Sequence, residues 1–461
     1  MTFPALRLAH RCTMVVLLLT VAPPMMAQAG RAPGTSGVPI PIVLVHGNGD
    51  HAGMWDQTIM RFASNGYPEE RLFAVDLPSP VASSTIRAVE ANRSTPEDQT
   101  AALSAFVTRV LLRTGASKVA LIGSSRGGLT IMNYLRFGGG ASHVSHVITC
   151  GTPHHGVFAN ATTQLDGESN GAGAYVQSLN SPREVVPGVR FLTLRSDRLD
   201  KYAQPDGAGL GMAGASTTAG FDGPALRGAI NVVLPGTDHR EVAFGPAAFD
   251  AQYRFLTGRL PTRTTIAPQS TVVLNGMISA NASGAPTNLP LAGAIVTVHE
   301  VDSVTGIRVH AAAHRAVTNH TGRWGPFVGQ PGRYYEFEVV QADSAVILHM
   351  FRSPFLRSTD LVHIRLPAPP RPRLDSVSVL MVRPRGYLGV GRDTVMIDAQ
   401  PARGIPVGVP SADRVLQWFA RDTSRSVRTR INGETIVVRT YPSDVRRLVL
   451  AEFSGDGVSA K

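Results

Sequence analysis

The sequence predicts a chain in two parts, an α/β domain followed by an all-β region. Between about residues 38 and 260, short apolar runs alternate with amphipathic segments, which is typical of a parallel sheet flanked by helices. After Leu260 the pattern changes to alternating apolar and polar residues separated by Gly, Pro and Asn turns, which indicates a β-rich region. Proline-rich runs at 261–268 and 367–372 separate the two parts and then divide the second.

Domain boundaries are predicted where the composition changes. We expect a signal peptide over 1–29 and an α/β domain, with a mostly parallel sheet flanked by helices, over 30–260. A β-sandwich-like domain is expected over 261–368. Residues 369–461 are expected to form a second β module or to continue the first.

Six short, mostly apolar runs are the predicted strands of the parallel sheet, since strands buried on both faces lack polar alternation. They are residues 42–45, 72–75, 119–122, 144–149, 191–194 and 230–234. In the second part, alternating runs predict strands at 271–278, 294–298, 334–340, 376–381 and 435–440, with a hairpin turn at 431–434.

One helix has clear start and stop signals. Thr95 is a plausible N-cap, Pro96 suits the first turn, and Asp98 completes a pattern like a capping box. Apolar residues then recur at helical spacing until Gly115. A second helix-like segment, 246–257, follows the last predicted strand.

The N-terminus has the features of a secretory signal. Two arginines precede the apolar run 14–22, and Ala27-Gln28-Ala29 matches an A-x-A cleavage site. The run is shorter than the roughly 20 residues that span a bilayer. After cleavage Cys150 would be the one remaining cysteine, so we expect no internal disulfide.

A candidate nucleophile lies between a predicted strand and a predicted helix, in Gly123-Ser-Ser125-Arg-Gly127. In this context G-x-S-x-G forms a nucleophile elbow, where a strained turn exposes the serine hydroxyl. The flanking glycines remove side chains that would clash in the turn. Ser125 is therefore the predicted nucleophile.

A serine nucleophile needs a histidine base and an acid that orients it, and with this elbow they follow in the order acid, histidine. His239 follows the strand 230–234 through a short loop and is the predicted base. Asp200 is the favoured acid, because it is far enough beyond the strand 191–194 to reach a loop histidine. Asp197 is the alternative acid.

The reaction also needs donors for a developing oxyanion. The elbow supplies the backbone N–H of Arg126. We assign the second donor to the backbone N–H of Asn48, in the glycine-containing loop that leaves the first strand.

Four motifs follow one another in the first part of the chain, at residues 43–48, 123–127, 150–156 and 236–239. Together, and in this order, they resemble the secreted class 2 triacylglycerol lipases and esterases of the α/β-hydrolase superfamily. The resemblance covers about residues 38–260 and implies an α/β-hydrolase fold that cleaves carboxylic esters through an acyl-enzyme, without a cofactor. We interpret His154 and His155 as structural, because His239 already fills the base position, and no spacing of residues predicts a metal site.

The second half adds a narrower resemblance. Residues 330–337 and 351–357 look like the β extension of a thermophilic archaeal lipase, and 291–296 resembles carboxypeptidase-regulatory-like β-sandwiches. Two departures matter. No carboxylate follows the strand 144–149 directly, and the segment 78–94 is shorter and more polar than the apolar lid of many lipases, which argues against strong interfacial activation.

The predicted function is a secreted serine hydrolase of acylglycerols or other lipid esters, with a β region that binds substrate or a surface. Two alternatives stay open: an extracellular depolymerase of a polyester such as polyhydroxyalkanoate, and a non-catalytic surface-binding protein on a hydrolase scaffold. Nucleic acid is not an expected partner, because no helix-turn-helix or aromatic–basic platform is found. Acyl-chain preference and oligomeric state stay open.

The formal net charge of +11 is distributed unevenly. Residues 30–261 carry 19 cations and 18 anions, whereas residues 262–461 carry 23 cations and 15 anions. We therefore expect the β region to contact anionic or ester-rich surfaces, including a membrane or lipid surface, with binding that weakens in salt.

Overall fold

The structure is a computed structural model that describes residues 1, 38–207, 220–341, 346–366, 376–420, 424–441 and 446–455. The predicted signal peptide beyond Met1 and the proline-rich run 367–372 lie outside these residues. Residues 39–461 form one compact unit. In the described part of the chain, no helix combines the length and the apolar character needed to cross a membrane.

A parallel sheet forms the first half, as predicted. Its six strands are β1 (Ile42–Val45), β2 (Leu72–Val75), β5 (Val119–Ser124), β6 (Val144–Cys150), β7 (Arg190–Ser196) and β8 (Ile230–Leu234). They are ordered β2-β1-β5-β6-β7-β8, and every neighbouring pair is parallel. A short separate pair consists of β3 (Val81–Ala82) and β4 (Arg93–Ser94).

Helices cover both faces of this sheet, which explains why most residues of its inner strands are apolar, whereas the edge strand β8 is largely exposed. The α-helices are α1 (Asp56–Ser64), α2 (Pro96–Thr114), α3 (Arg126–Phe137), α4 (Ala174–Leu179), α5 (Glu241–Phe244) and α6 (Pro246–Thr257). One core contains apolar side chains of α2, α3 and α4, and the other contains those of α1, α5 and α6. The predicted caps of α2 are present: Thr95 and Asp98 form a capping box, and Gly115 ends the helix with a φ of 65°.

The second half consists of β-strands. They are β9 (Val272–Ala282), β10 (Ala285–Pro290), β11 (Ile295–Val301), β12 (His314–Val317), β13 (Arg323–Gly329), β14 (Tyr334–Val340), β15 (Val346–Arg352), β16 (Ile364–Leu366), β17 (Ser376–Val382), β18 (Val395–Ile397), β19 (Gln400–Pro401), β20 (Arg414–Ala420), β21 (Ser426–Ile431), β22 (Glu434–Arg439) and β23 (Arg446–Glu452). The predicted turn at 431–434 joins β21 to β22.

A seven-stranded sheet in the order β12-β11-β14-β15-β23-β17-β20 connects both sides of the proline-rich run 367–372. Its side chains alternate between two cores. In β23, Leu448 and Leu450 enter the core shared with β9 and β13, whereas Val449 and Ala451 enter the core shared with β18, β21 and β22. The β half is therefore a layered sandwich with the seven-stranded sheet in the middle.

The two halves of the chain share a buried interface. Met60 of α1 belongs to the core of the β half. Asp56 of the same helix is 1% exposed and receives hydrogen bonds from Arg352, at 2.7 Å, and from Arg385. Because a buried carboxylate is costly without such partners, these arginines of the β half stabilise the interface rather than an outer surface.

Candidate active site

Ser125 lies on a strained turn between β5 and α3. Its φ of 52° and ψ of −122° are rare for a residue with a side chain, as expected of a nucleophile elbow. At positions 123 and 127 a side chain larger than that of glycine would clash with the backbone. A Cβ on Gly123 would lie 2.8 Å from the carbonyl carbon of Gly127, and one on Gly127 would lie 2.5 Å from the oxygen of His46.

The loop after β1 faces this turn. Nδ1 of His46 lies 2.9 Å from the oxygen of Gly47, and its Nε2 accepts a hydrogen bond from the N–H of Leu77 at 3.1 Å, so the ring has a defined tautomer. Burial lowers the pKa of His46, which keeps the ring neutral. Asn48 and Arg126 both line the cavity beside Ser125, and within the described residues neither backbone N–H donates a hydrogen bond to the protein.

Asp200 and His239 are in direct contact, although they are 39 positions apart in the chain. Oδ2 of Asp200 lies 2.7 Å from Nδ1 of His239, and both residues are 7% exposed. The other carboxylate oxygen accepts the N–H of Tyr202 at 2.8 Å, and the Tyr202 ring packs edge-on against the histidine with a centroid distance of 4.7 Å. With Nδ1–H donated to Asp200, Nε2 of His239 is left as the acceptor.

The histidine packs beside the elbow. The N–H of Ser125 donates to the oxygen of Cys150 at 2.7 Å, and a Cβ on the next residue, Gly151, would lie 3.2 Å from Nδ1 of His239. Ser125, Asp200 and His239 line one cavity of about 630 Å³. Within the described residues, Oγ of Ser125 has no hydrogen-bond partner.

Asp197, the alternative acid, has a different environment. Its carboxylate accepts the N–H of Leu199 at 3.1 Å and the N–H of Gly236 at 2.9 Å. It therefore joins two loops, and it is not among the residues that line the cavity.

Other side chains brace the elbow. The guanidinium of Arg126 pairs with Glu168 at 2.8 Å and donates to the oxygen of Ser94 at 2.7 Å. His154 is buried and lies 2.8 Å from Oγ1 of Thr149, and burial lowers its pKa to about 3, so that it stays neutral. These contacts fit a structural role for His154.

Residues of the β half contact two loops of the site, the loop after β1 and the loop that carries His239. Arg365 donates to the oxygen of Gly49 at 2.7 Å, and the side-chain amide of Asn288 donates to the oxygens of Asp50, at 3.0 Å, and Leu77, at 2.8 Å. The loop that carries the Asn48 N–H is therefore anchored by residues more than 200 positions away.

A second set of contacts holds the loop of His239. The neighbouring carboxylate of Asp238 is fully buried and accepts hydrogen bonds from the N–H of Tyr387 at 2.6 Å and from Arg392 at 3.0 Å. Arg392 also bonds Glu241 at 2.9 Å, and the Tyr387 side chain lines the cavity. Sequence reasoning missed these residues, because Tyr387 and Arg392 belong to no local motif.

Replacing Arg392 by Met is expected to destabilise the protein by about 2–3 kcal/mol, somewhat less than the 3–5 kcal/mol typical of a fully buried pair, because the arginine is 21% exposed. The change leaves Asp238 and Glu241 with one cation fewer in a buried site. Thermal unfolding of the purified protein measures the loss. Arg414→Met is the matched control, since Arg414 is 62% exposed and pairs with its neighbour Asp413, and we expect a change within about 0.5 kcal/mol. Equal losses of stability in Arg392→Met and Arg414→Met would contradict a stabilising role of Arg392.

Away from the cavity, one cluster among the described residues has the residue types of a metal site. Ligand atoms of Glu336, Glu338 and His349 lie within 4.8 Å of one another. Arg308, however, donates to Glu336 at 2.8 Å and to Glu338 at 2.7 Å. Although burial raises the pKa of Glu336, hydrogen bonds from Arg308 and His349 lower it to about 2. The cation required by these carboxylates is thus supplied by the protein, and the cluster fits an internal ion network.

Comparison with known proteins agrees with the fold. Residues 40–187 match a family model described as "alpha/beta hydrolase fold", and residues 270–369 match one described as "Lipase C-terminal domain". Together these matches confirm the predicted fold class and support a lipase- or esterase-type α/β hydrolase.

Solved structures that resemble the chain include the mature form of Bacillus licheniformis lipase BlEst2, at 22% identity, which covers 48% of this chain and 93% of that one with a TM-score of 0.34. Aspergillus fumigatus lipase B is 16% identical and covers 51% and 57%, with a TM-score of 0.34. Carboxylesterase CesB from Bacillus subtilis is 13% identical and covers 48% and 85%, with a TM-score of 0.27.

Proposed function

We propose that the protein is a serine hydrolase of carboxylic esters, with Ser125 as nucleophile, His239 as base and Asp200 as the acid that orients it. The observation that carries the proposal is the 2.7 Å contact between Asp200 and His239 in the same cavity as Ser125 on its strained turn. The alternative is that His239 has only a structural role, but that role would not explain why it shares a cavity with the serine of the elbow.

In the proposed reaction, Oγ of Ser125 attacks the ester carbonyl while Nε2 of His239 takes its proton. Asp200 keeps the histidine in the required tautomer and stabilises the imidazolium. The backbone N–H groups of Asn48 and Arg126 stabilise the oxyanion of the tetrahedral intermediate. His239 then protonates the departing alcohol, and a water molecule, activated by the same histidine, releases the acid from Ser125. Only protons and an acyl group move, so the chemistry needs no cofactor.

The cavity supports acylglycerols or other lipid esters as the substrate class. Its wall includes the apolar side chains of Leu129, Val157, Phe158, Phe221 and Leu226. The segment 78–94, which is shorter than the apolar lid of many lipases, is fixed by hydrogen bonds. Oδ1 of Asn48 accepts the N–H of Ala82 at 2.8 Å, and Oγ of Ser94 donates to the oxygen of Ser79 at 2.6 Å. This fixed segment favours hydrolysis of dispersed esters without strong interfacial activation.

Hydrolysis of p-nitrophenyl esters from acetate to palmitate by the purified full chain tests the proposal. Turnover of at least one ester, with no jump in rate at the solubility limit, is the expected result. A protein that turns over none of them, and that a fluorophosphonate does not label, would instead be the non-catalytic surface-binding protein. Release of acid from polyhydroxyalkanoate granules, with no hydrolysis of lipid esters, would favour the depolymerase.

Secretion and surface contact belong to the proposal as well. We expect expression in a secreting host to yield a mature protein that begins at Gly30, which N-terminal sequencing checks. The β half also has outward-facing cations, such as Arg428 and Arg430 on β21. Co-sedimentation of the protein with anionic vesicles that weakens in salt would support contact with a lipid surface, and salt-independent adsorption would contradict the electrostatic part of it.

A further inference from the structure

The cavity of Ser125 contains one uncommitted positive charge among the described residues. Its lining includes three carboxylates and three guanidinium groups. Each carboxylate has a partner in the cavity, in the pairs Glu168–Arg126 at 2.8 Å, Asp50–Arg240 at 3.4 Å and Asp200–His239 at 2.7 Å. Arg195 is the remaining guanidinium, and no carboxylate of the described chain lies within 4.0 Å of it.

Arg195 is placed by β7 and by the opposite wall of the cavity. One terminal nitrogen donates to the oxygen of Gly223 at 2.6 Å, which fixes the side chain across the cavity wall. Its Nε is shielded from solvent and has no acceptor in the described residues. The side chain as a whole is partly exposed, so the charge is accessible from the cavity.

The described residues that line the cavity near Arg195 include polar groups but no further carboxylate. Thr193, two residues earlier on β7, also lines the cavity and donates to the side-chain oxygen of Asn231 at 2.8 Å. The sequence of residues 208–219 contains no Asp or Glu, and Asp222 in the wall segment 220–226 is exposed and is not part of the cavity lining. A guanidinium in such a setting gains a strong, oriented interaction when an anionic oxygen group binds, because its fork matches a carboxylate or phosphate.

Strand order relates the positions of Ser125 and Arg195. β5, which leads to Ser125, and β7, which carries Arg195, are separated by one strand, β6. At about 4.8 Å between neighbouring strands, the two backbones lie about 10 Å apart. Both side chains line the same cavity, so a substrate that reaches from one to the other needs only a short acyl chain or a glycerol backbone with a substituent.

Building on the proposed esterase function, we propose that Arg195 binds an anionic oxygen group, a carboxylate or a phosphate, that the ester substrate carries a short chain away from its reacting carbonyl. The anionic group lies either at the end of the acyl chain or on the alcohol. The substrate class is thus an acidic ester rather than a fully neutral triacylglycerol.

Two matched substrate pairs test this inference with the full chain. On the acyl side, p-nitrophenyl adipate with a free carboxylate is compared with neutral p-nitrophenyl hexanoate. On the alcohol side, butyrylglycerol phosphate is compared with monobutyrin. The pair whose anionic member is preferred identifies the source of the charge.

In Arg195→Gln we expect the ratio of kcat/KM for the anionic ester to that for the neutral ester to fall at least tenfold. Arg195→Lys should restore part of this ratio.

Arg198→Gln is the control. It makes the same charge change three residues later, at an exposed arginine outside the cavity lining, and we expect both ratios to stay as in the parent protein. Ratios that do not change in Arg195→Gln, or that fall equally in Arg198→Gln, would overturn the inference.

A binding measurement separates this inference from the proposed function. Calorimetry with adipate and with inorganic phosphate should show at least tenfold weaker binding of the preferred anion to Arg195→Gln than to the parent. A parent protein that hydrolyses no ester but binds the anion through Arg195 would contradict the proposed esterase function and would leave the proposed anion site standing. Anion binding that is absent or independent of Arg195 would contradict the inference.

Discussion

Replacing Ser125 by Ala is expected to lower kcat/KM for p-nitrophenyl butyrate by at least about 10⁴-fold. The variant removes the one atom that forms the acyl-enzyme and leaves the Asp200–His239 pair with no nucleophile to activate. Residual hydrolysis would come from water held in the cavity by the oxyanion donors. Initial rates over a range of substrate concentrations measure the loss.

The neighbouring serine provides the control. Ser124 ends β5 and is buried, so Ser124→Ala makes the same chemical change one residue earlier. We expect its kcat/KM to stay within about threefold of the parent, and the melting temperature of Ser125→Ala to match or exceed that of the parent, because the strained residue loses no hydrogen bond. Comparable losses in both variants would indicate damage to the turn rather than loss of the nucleophile.

Replacing Asp200 by Asn is expected to reduce kcat by about 10³–10⁴-fold, with a small change in KM. The amide cannot hold Nδ1–H of His239 as the carboxylate does at 2.7 Å, so the ring adopts the wrong tautomer and its cationic form loses a counter-charge. Comparison of kcat and KM for the same ester distinguishes this effect from weaker substrate binding.

Asp197→Asn is the control for this assignment. Asp197 accepts two backbone N–H groups of loops and lies outside the cavity lining, so its replacement should cost about 1 kcal/mol of stability and at most about fivefold in kcat. A large loss of kcat in Asp197→Asn, with an active Asp200→Asn, would reverse the choice of acid.

Local sequence signals were sufficient for the elements that position the elbow. The capping box at Thr95, the left-handed Gly115 and the six apolar runs each depend on residues close in sequence, and the structure has the predicted helix and all six strands. The elbow could be predicted for the same reason, since its glycines and its strand–turn–helix context all lie within residues 119–137.

The support of the site by the β half could not be predicted in this way. The N–H of Tyr387 bonds Asp238 across 149 residues, and Arg365 bonds the loop after β1 across 316 residues. Such contacts depend on how two halves of the chain pack, and neither the spacing nor the residue types of 383–392 form a motif. The choice between Asp200 and Asp197 likewise depended on loop geometry that the sequence leaves open.

The structure also changes the interpretation of the uneven charge distribution. The excess of arginines in residues 262–461 suggested an outward-facing basic surface. Several of them instead pair with buried acids: Arg352 and Arg385 with Asp56, and Arg392 with Asp238. Part of the basic character of the β half therefore stabilises the contact with the α/β half, which leaves a smaller set of exposed arginines for any surface contact.

Labelling with a fluorophosphonate tests most directly whether Ser125 is an activated nucleophile. Such reagents phosphonylate a serine that a histidine base has activated, and intact-mass and peptide analysis locate the adduct. We predict one phosphonyl group per chain, on Ser125, with labelling abolished in Ser125→Ala and slowed strongly in Asp200→Asn. An unlabelled parent protein, or an adduct on another residue at the same rate in Ser125→Ala, would contradict the account.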